Sequence, residues 1–325
     1  MRLHHALPLA TVLLLAGACG APREDGASAS ARRALPALPA DVEAVSLLGD
    51  TLRAPVLAAD ARATYERHLD SARAMLAAAP DDRDAWIWVG RRTAYLGRFR
   101  ESLAHYGDAL ARFPDEPRLL RHRGHRWLTV RQLDSAEADL ARAAALVRGT
   151  SDEVEPDGLP NARGIPTSTL QSNVWYHLAL ARYVRGDFPA ALEAWEHALD
   201  VANNPDMLVA TAHWTWLTLR RLGRDDDARQ LLNLVRSDVD VIENGSYLRL
   251  LRLYKGELPP DSLLAAGDVG ATPSDVAAAY GVGAWHLVEG RPEDAERVFR
   301  RIVGGPQWPG FGHLAAEAEL ARLRR

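Results

Sequence analysis

The sequence predicts an all-α fold, a right-handed superhelical solenoid of about five to six antiparallel helical hairpins with capping helices. Residue types recur every 34 positions, small residues alternate with large apolar ones in phase with that period, and glycine or proline ends each helical stretch. A period of 34 residues matches one two-helix repeat. The pairs that carry the period are Gly90 and Gly124, Ser102 and Ala136, Tyr106 and Leu140, and Ala109 and Ala143.

Composition allows such a fold and disfavours one class of partner. Of the 325 residues, 47% are hydrophobic and 25% are charged, which suffices for a continuous core. The formal net charge is −4 and the two signs are interspersed, so the chain lacks the basic field that binds phosphate backbones. We therefore expect no nucleic-acid partner.

The first element, residues 1–19, is predicted to be an export signal. Arg2 provides a basic start, residues 6–18 are almost entirely apolar, and small residues precede Cys19. The apolar run is shorter than the roughly 20 residues of a transmembrane helix. Cys19 is the only cysteine of the chain, which excludes an internal disulfide.

Residues 15–19, Leu-Ala-Gly-Ala-Cys, resemble the lipobox of bacterial lipoproteins. The resemblance implies that Cys19 is lipidated and becomes the first residue of the mature protein. Gly20 stands where aspartate would favour the inner membrane, so the expected location is the cell envelope, at the outer membrane. The alternative is an ordinary signal peptide that leaves a free thiol. Residues 20–40, rich in Ala, Gly, Ser and Pro, are predicted to be a flexible tether.

Residues 41–82 are predicted to be an N-terminal capping segment with a lone helix at Ala59–Ala78, where Tyr65, Leu69 and Leu76 follow helical spacing. Repeats 1 and 2 occupy residues 83–150. Gly90 marks a close crossing of two helices, Gly97 supplies a left-handed helix end, and Pro114 ends a second helix.

Repeats 3 to 6 and a C-terminal cap are assigned to residues 169–325. The pattern recurs at 172–204, at 209–237 and at 275–304, and residues 247–264 form a degenerate repeat. Helix Phe311–Leu323 is expected to cover the last repeat, because a terminal repeat would otherwise expose its core face.

Small and large residues in these phases resemble tetratricopeptide-repeat (TPR) proteins, in particular bacterial TPR lipoproteins, over residues 59–325. The resemblance implies a concave groove lined by the first helix of each hairpin. Aromatic and arginine side chains are common anchors at interfaces, so we expect a binding face there. The implied groove residues are Trp88, Arg91, Tyr95, Arg121, His122, His125, Asn173, Tyr176, His177, Tyr183, His213 and Trp214. The family's lysine-based carboxylate clamp has no counterpart, because Ile87, Arg91 and Arg121 stand on the corresponding helices.

Residues 151–168 interrupt the 34-residue rhythm with an acidic insertion rich in proline and glycine. Loops of this length are functional or disordered. One hypothesis is that Glu155 and Asp157 fold back onto Arg91, Arg121 or His122 and partly fill the groove. The alternative is a mobile, solvated loop.

The sequence carries no recognisable catalytic or cofactor motif, so we expect a non-enzymatic protein without cofactor, metal or small-molecule substrate. His122, His125 and His177 are of a type that binds metals, but no carboxylate or cysteine completes a zinc set. The predicted function is a lipid-anchored scaffold that binds a peptide or protein segment in its concave groove. The alternative is an assembly module whose groove is closed by loop 151–168 and whose convex face makes the contacts.

Overall fold

The computed structural model of the protein describes residues 37–264 and 272–324. The predicted signal peptide, Cys19 and most of the predicted tether lie outside these residues. The described part is an all-α arrangement of helical hairpins with one short β-hairpin at its start. The strands are β1 (Val42–Val45) and β2 (Thr51–Arg53).

Fourteen helices follow within the described residues, and consecutive helices pair into hairpins. The first seven are α1 (Ala59–Ala78), α2 (Arg83–Tyr95), α3 (Phe99–Arg112), α4 (Pro117–Thr129), α5 (Leu133–Val147), α6 (Leu170–Arg185) and α7 (Phe188–Asp200). The other seven are α8 (Pro205–Arg221), α9 (Asp225–Leu234), α10 (Gly245–Tyr254), α11 (Asp261–Leu264), α12 (Pro273–Val288), α13 (Pro292–Val303) and α14 (Phe311–Leu323). Both predicted capping helices, α1 and α14, have the expected bounds.

Three of the hairpins are closed by a glycine that faces a large residue sixteen positions later. A Cβ on Gly90 would lie 2.2 Å from the ring of Tyr106, and one on Gly124 would lie 2.6 Å from Leu140. Gly283 stands in the same relation to Phe299, again at 2.6 Å. The predicted close crossings are therefore confirmed, because only a residue without a side chain lets these helices approach so closely.

The turn between the two helices of a repeat needs a left-handed residue. Gly97, Gly186, Gly223 and Gly290 supply it in four hairpins, with φ between +70° and +87°. The corresponding residue of the second repeat, 34 positions after Gly97, is Arg131 with φ of +62°. A left-handed conformation costs a residue with a Cβ roughly 1–2 kcal/mol, so the side chain of Arg131 must supply a compensating interaction.

That interaction is with helix α14, which does more than cover the last repeat. α14 packs on α12 and α13 as predicted, and it also contacts α6 of the third repeat. Every residue from Gly312 to Leu320 is buried. Arg131 donates to Glu317 Oε1 at 2.5 Å, and the two side chains are 2% and 0% exposed. The C-terminal helix therefore occupies the inner side of the solenoid.

The β-hairpin ties the first repeat to the same region. The backbone N–H of Leu47 donates to Glu317 Oε2 at 2.9 Å, and Trp308 Nε1 donates to the carbonyl of Arg53 at 2.7 Å. Glu43 Oε2 accepts from the backbone N–H of Arg100. The sequence assigned this stretch to a capping segment without strands, since four alternating residues leave little periodic signal. None of the helices in the described ranges has the length and apolarity that crossing a bilayer requires.

Candidate functional site

The acidic insertion lies on the inner face of the first three repeats. Glu155, 8% exposed, is its central contact: Oε1 lies 3.1 Å from Arg121 Nη2 and 3.3 Å from His122 Nε2. Its other oxygen accepts from Asn173 Nδ2 at 2.9 Å. One carboxylate thus joins α4 to α6. Its contacts with Arg121 and His122 are those that the fold-back hypothesis predicts for Glu155.

The protonation of His122 follows from these contacts. Arg121 Nη1 lies 2.9 Å from His122 Nδ1, and a guanidinium can only donate, so Nδ1 is the acceptor and the ring proton sits on Nε2. Burial and the neighbouring Arg121, Arg91 and Arg126 hold the pKa of His122 well below its ordinary value. A neutral imidazole therefore bridges the guanidinium and the carboxylate.

Two arginines of α2 hold the loop by its backbone. Arg91 Nη1 donates to the carbonyl of Pro156 at 2.7 Å, and Arg92 Nη1 donates to that of Gly158 at 2.9 Å. Gly158 packs so tightly on Tyr95 that a Cβ would lie 1.8 Å from the phenol oxygen. Both guanidinium groups also lie over the ring of Trp88. Arg91 and Arg92 therefore anchor the loop, Tyr95 packs on Gly158, and Trp88 supports both guanidinium groups.

A cleft of about 330 Å³ remains open beside the loop. Five of the predicted groove residues, on α4 and α6, line it: Arg121, His125, Asn173, Tyr176 and His177. The rest of the lining comes from the loop, α6, α8, α10 and the segment before it, and the first residue of α14: Asp157, Thr167, Ser168, Ser172, Met207, Ala210, Thr211, Glu243, Asn244, Tyr247 and Phe311. We call this space the inner cleft.

Aromatic rings close one side of the inner cleft. His125 lies 4.6 Å from His177 and 5.0 Å from Phe311 between ring centroids. Burial, followed by nearby arginines, holds the pKa of both histidines well below the ordinary value, so the stack is neutral. The Nδ1–H of His177 donates to the carbonyl of Asn173, which fixes the ring.

Two carboxylates, Asp157 and Glu243, also line the cleft. Asp157 has no ion pair or hydrogen bond to any described residue. Burial, then the nearby Glu243, raises its pKa, and Glu155 adds to the effect against an opposing contribution from Arg91. Glu243 Oε2 accepts from the Thr167 hydroxyl at 2.5 Å. Asp157 therefore lines the cleft near Arg91 but forms no ion pair with it, unlike Glu155 with Arg121.

Three predicted groove residues are core residues. Tyr183, His213 and Trp214 are each no more than 1% exposed, so they are not available as an open surface. Tyr183 accepts a hydrogen bond from Tyr280, His213 lies 2.9 Å from the hydroxyl of Tyr254, and Trp214 Nε1 donates to Tyr176 at 2.6 Å. In the third and fourth repeats, these positions of the first helix therefore face the core rather than an open groove.

Sequence reasoning missed the contributions of distant segments to the cleft. Tyr247 and Phe311 come from the predicted degenerate repeat and cap, and Glu243 lies between two predicted repeats. The signal available was the pair of tyrosines at 247 and 254 on one helical face. Within residues 37–264 and 272–324, no group of three or more His, Cys, Asp or Glu side chains is arranged to hold a metal ion.

No protein-family model and no curated protein sequence matches this chain. Among solved structures, it is similar to YrrB, "a TPR protein with an unusual peptide-binding site", at 12% identity and a TM-score of 0.42, over 73% of this chain and 92% of that one. A tetratricopeptide repeat protein from Parabacteroides merdae matches at 13% identity and a TM-score of 0.46, over 79% and 93% of the two chains. A chain of the APC/C Cut9–Hcn1 hetero-tetramer matches at 12% identity and a TM-score of 0.32, over 73% and 46%.

The chain's own geometry is the stronger basis for its fold. Consecutive antiparallel helical hairpins, three of them closed by a glycine that faces a large residue sixteen positions on, form an all-α solenoid of the tetratricopeptide-repeat type.

Proposed function

We propose that this protein is a non-catalytic scaffold that binds a short segment of another protein in the inner cleft. The supporting observation is the cleft itself, where Arg121, Asn173, Tyr176 and Asp157 meet around about 330 Å³ of open space. Concave spaces lined by rings and a few oriented polar groups are the usual form of a binding site.

The closure of the solenoid limits the length of that segment. Helix α14 and loop 151–168 already cover much of the inner face, so a long helix of a partner has no continuous groove to enter. A volume of about 330 Å³ is near the lower end of ligand pockets. The proposed ligand is therefore a few residues of an extended chain.

We also propose that the protein is anchored to the bacterial cell envelope, at the outer membrane, by a lipid on Cys19. The lipobox-like sequence and the sole cysteine support this. In cells fed radiolabelled palmitate, the wild-type protein should carry label and sediment with membranes, whereas Cys19→Ser should carry none. Label on the variant, or none on the wild type, would refute lipidation.

The second candidate is an assembly module that uses its outer face. The observation in its favour is that the chain covers part of its inner face with its own α14 and Glu155. In that case the inner cleft is a by-product of packing, and the exposed second helices of the hairpins carry the contacts.

Photo-crosslinking can separate the two. The chain has three methionines, Met1, Met75 and Met207. Met207 lines the inner cleft and Met75 is exposed on α1. In cells grown with photo-methionine, a crosslinked partner that disappears in Met207→Leu but persists in Met75→Leu supports binding in the cleft. A partner that persists in Met207→Leu contradicts it and favours the outer surface.

A further inference from the structure

Residues 153–158 of the insertion, Glu-Val-Glu-Pro-Asp-Gly, contact the inner face in the way that a bound peptide does. We call them the inner segment. Two of its backbone carbonyls accept hydrogen bonds from Arg91 and Arg92, and the carboxylate of Glu155 pairs with Arg121. Main-chain carbonyls and one carboxylate are groups that an extended segment of another protein can supply equally well.

The attachment of the inner segment buries no apolar side chain of the insertion. Within residues 151–166, the buried positions are Glu155 and Gly158. Val154 and Leu159 are both more than half exposed. Segments with few buried apolar contacts open at a lower free energy than the whole protein unfolds. The inner segment can therefore leave the face without disturbing the hydrophobic core.

Open space borders the inner segment on the inner face. The inner cleft reaches it at Asp157, and a second space of about 220 Å³ lies against residues 153–156. The carboxylate of Glu155 contacts both Arg121, which lines the inner cleft, and His122, which lines the second space. The inner segment therefore lies between two parts of the groove that the repeats form.

The face beneath the inner segment favours an acidic occupant. Arg121 needs a carboxylate, because a buried guanidinium without a counter-ion costs free energy. Arg91 and Arg92 bind carbonyls of the inner segment, and neither forms an ion pair with a described residue. A carboxylate binds a guanidinium more strongly than a neutral carbonyl does. A segment that brings carboxylates to all three arginines can therefore compete with the inner segment.

We propose that the inner segment is an internal ligand, and that an extended acidic segment of a partner protein binds by displacing it. A glutamate or aspartate of the partner takes the place of Glu155 against Arg121 and His122, and the partner chain continues into the inner cleft. This inference rests on the proposed binding of a protein segment. It specifies the chemistry of that segment and the contact that it must displace.

The test is binding of defined peptides to the purified full-length protein by isothermal titration. The acidic peptide, acetyl-Glu-Val-Glu-Pro-Asp-Gly-amide, has the sequence of the inner segment. The amide peptide, acetyl-Gln-Val-Gln-Pro-Asn-Gly-amide, has the same shape without the charges. The tethered inner segment competes at an effective concentration on the order of millimolar, so the acidic peptide should bind the wild type weakly.

The variant is Glu155→Gln, which keeps the shape of the inner segment and removes the charge that holds it to Arg121. It should bind the acidic peptide about tenfold more tightly than the wild type, and it should not bind the amide peptide. Addition of Arg121→Gln should abolish the gain, because the counter-ion of the peptide is then absent. The matched control is Glu153→Gln, which removes an exposed carboxylate of the same segment and should bind like the wild type.

Hydrogen exchange tests displacement in the wild type without a substitution. The backbone N–H of Glu155 donates to the carbonyl of Ser168. This amide should exchange faster than those within α4 and α6, because the inner segment opens locally. Its exchange should become faster still at high concentrations of the acidic peptide, which keeps the inner segment displaced.

Several results would overturn the inference. They are no binding of the acidic peptide to Glu155→Gln at millimolar concentration, equal binding of the amide peptide, or exchange at Glu155 that is as slow as in the core or unchanged by the acidic peptide. Where a variant does not fold, exchange in the wild type decides. The Met207 crosslink tests the proposed function separately. A crosslink without displacement would retain the inner cleft as a protein-binding site and reject only the internal ligand.

Discussion

At the scale of single residues, the structure depends on a few glycines that face large side chains. Gly90 is the tightest of those within the helices, because the position of a Cβ is already occupied by the ring of Tyr106. Substitution must move either the ring or the helix, and overpacking of this kind costs roughly 1–3 kcal/mol.

We predict that Gly90→Ala lowers the free energy of unfolding by about 2 kcal/mol, measured by urea denaturation. Gly245→Ala is the control, since no atom lies within 4 Å of its Cβ position and its φ is not left-handed. That variant should remain within about 0.5 kcal/mol of the wild type. An unaffected Gly90→Ala protein would show that the helices are not fixed at this separation.

Arg131 shows how far residue-level reasoning from the sequence reaches. Arg131 stands 34 positions after Gly97, which ends the first helix of repeat 1. The sequence alone therefore shows that arginine replaces glycine at the corresponding turn of repeat 2. The reason for the arginine could not be predicted from the sequence, because its partner Glu317 is 186 positions away. The small and large pairs within one hairpin could be predicted because they lie sixteen residues apart on helices of known period.

At the scale of elements, loop 151–168 and helix α14 each depend on a buried carboxylate. Glu155 is the counter-ion of the buried Arg121, whereas Asp157 has no partner among the described residues and a raised pKa. The two acidic residues of one loop should therefore respond in opposite ways to substitution.

We predict that Glu155→Ala destabilises the protein by roughly 3 kcal/mol, because it leaves Arg121 buried without a counter-ion. Asp157→Ala should be neutral or slightly stabilising at pH 7, since a raised pKa means that folding disfavours the ionised form. Thermal melts and hydrogen exchange of residues 151–168 measure both effects. Equal responses of the two variants would contradict this assignment.

Helix α14 should make stability sensitive to acid. Burial alone would raise the pKa of Glu317, but hydrogen bonds and charge from His313 and Arg131 outweigh it and lower the pKa to about 2. A depressed carboxyl pKa stabilises the fold above the unfolded value near 4.5. That contribution, roughly 3 kcal/mol, should be lost as the pH falls from about 4.5 to 2.

Urea denaturation across this pH range measures the effect. Glu317→Gln should be less stable at pH 7 and show a flatter pH dependence below 4.5. Glu296→Gln, which removes a carboxylate from an exposed pair with Arg300, should follow the wild-type curve. Parallel curves for wild type and Glu317→Gln would show that this carboxylate contributes no acid sensitivity.

Element boundaries were the most predictable part of the fold, because helix ends depend on local chemistry. Thr169 and Thr272 cap α6 and α12 with their side chains, and Pro117, Pro189, Pro205 and Pro273 stand in the first turns of α4, α7, α8 and α12. The position of α14 was less predictable. Its residues are buried on every side, a pattern that indicates a covered helix but does not identify what covers it.

At the scale of the whole molecule, the N-terminal β-hairpin, the second repeat and the C-terminal helix meet at Glu317. In an open solenoid each repeat contacts only its neighbours, and its stability is approximately a sum of local terms. Here, contacts between residues 47 and 317 and between residues 131 and 317 join parts of the chain that a linear array keeps apart.

The closure at Glu317 should make unfolding a single event. Linear repeat arrays can lose their ends one at a time, but here neither end can detach without breaking the contacts of the other. Tryptophan fluorescence, which reports the rings between α2 and α14, and helical circular dichroism should therefore give coincident urea transitions. Glu317→Gln should separate them, turning one cooperative unit into segments that melt in succession.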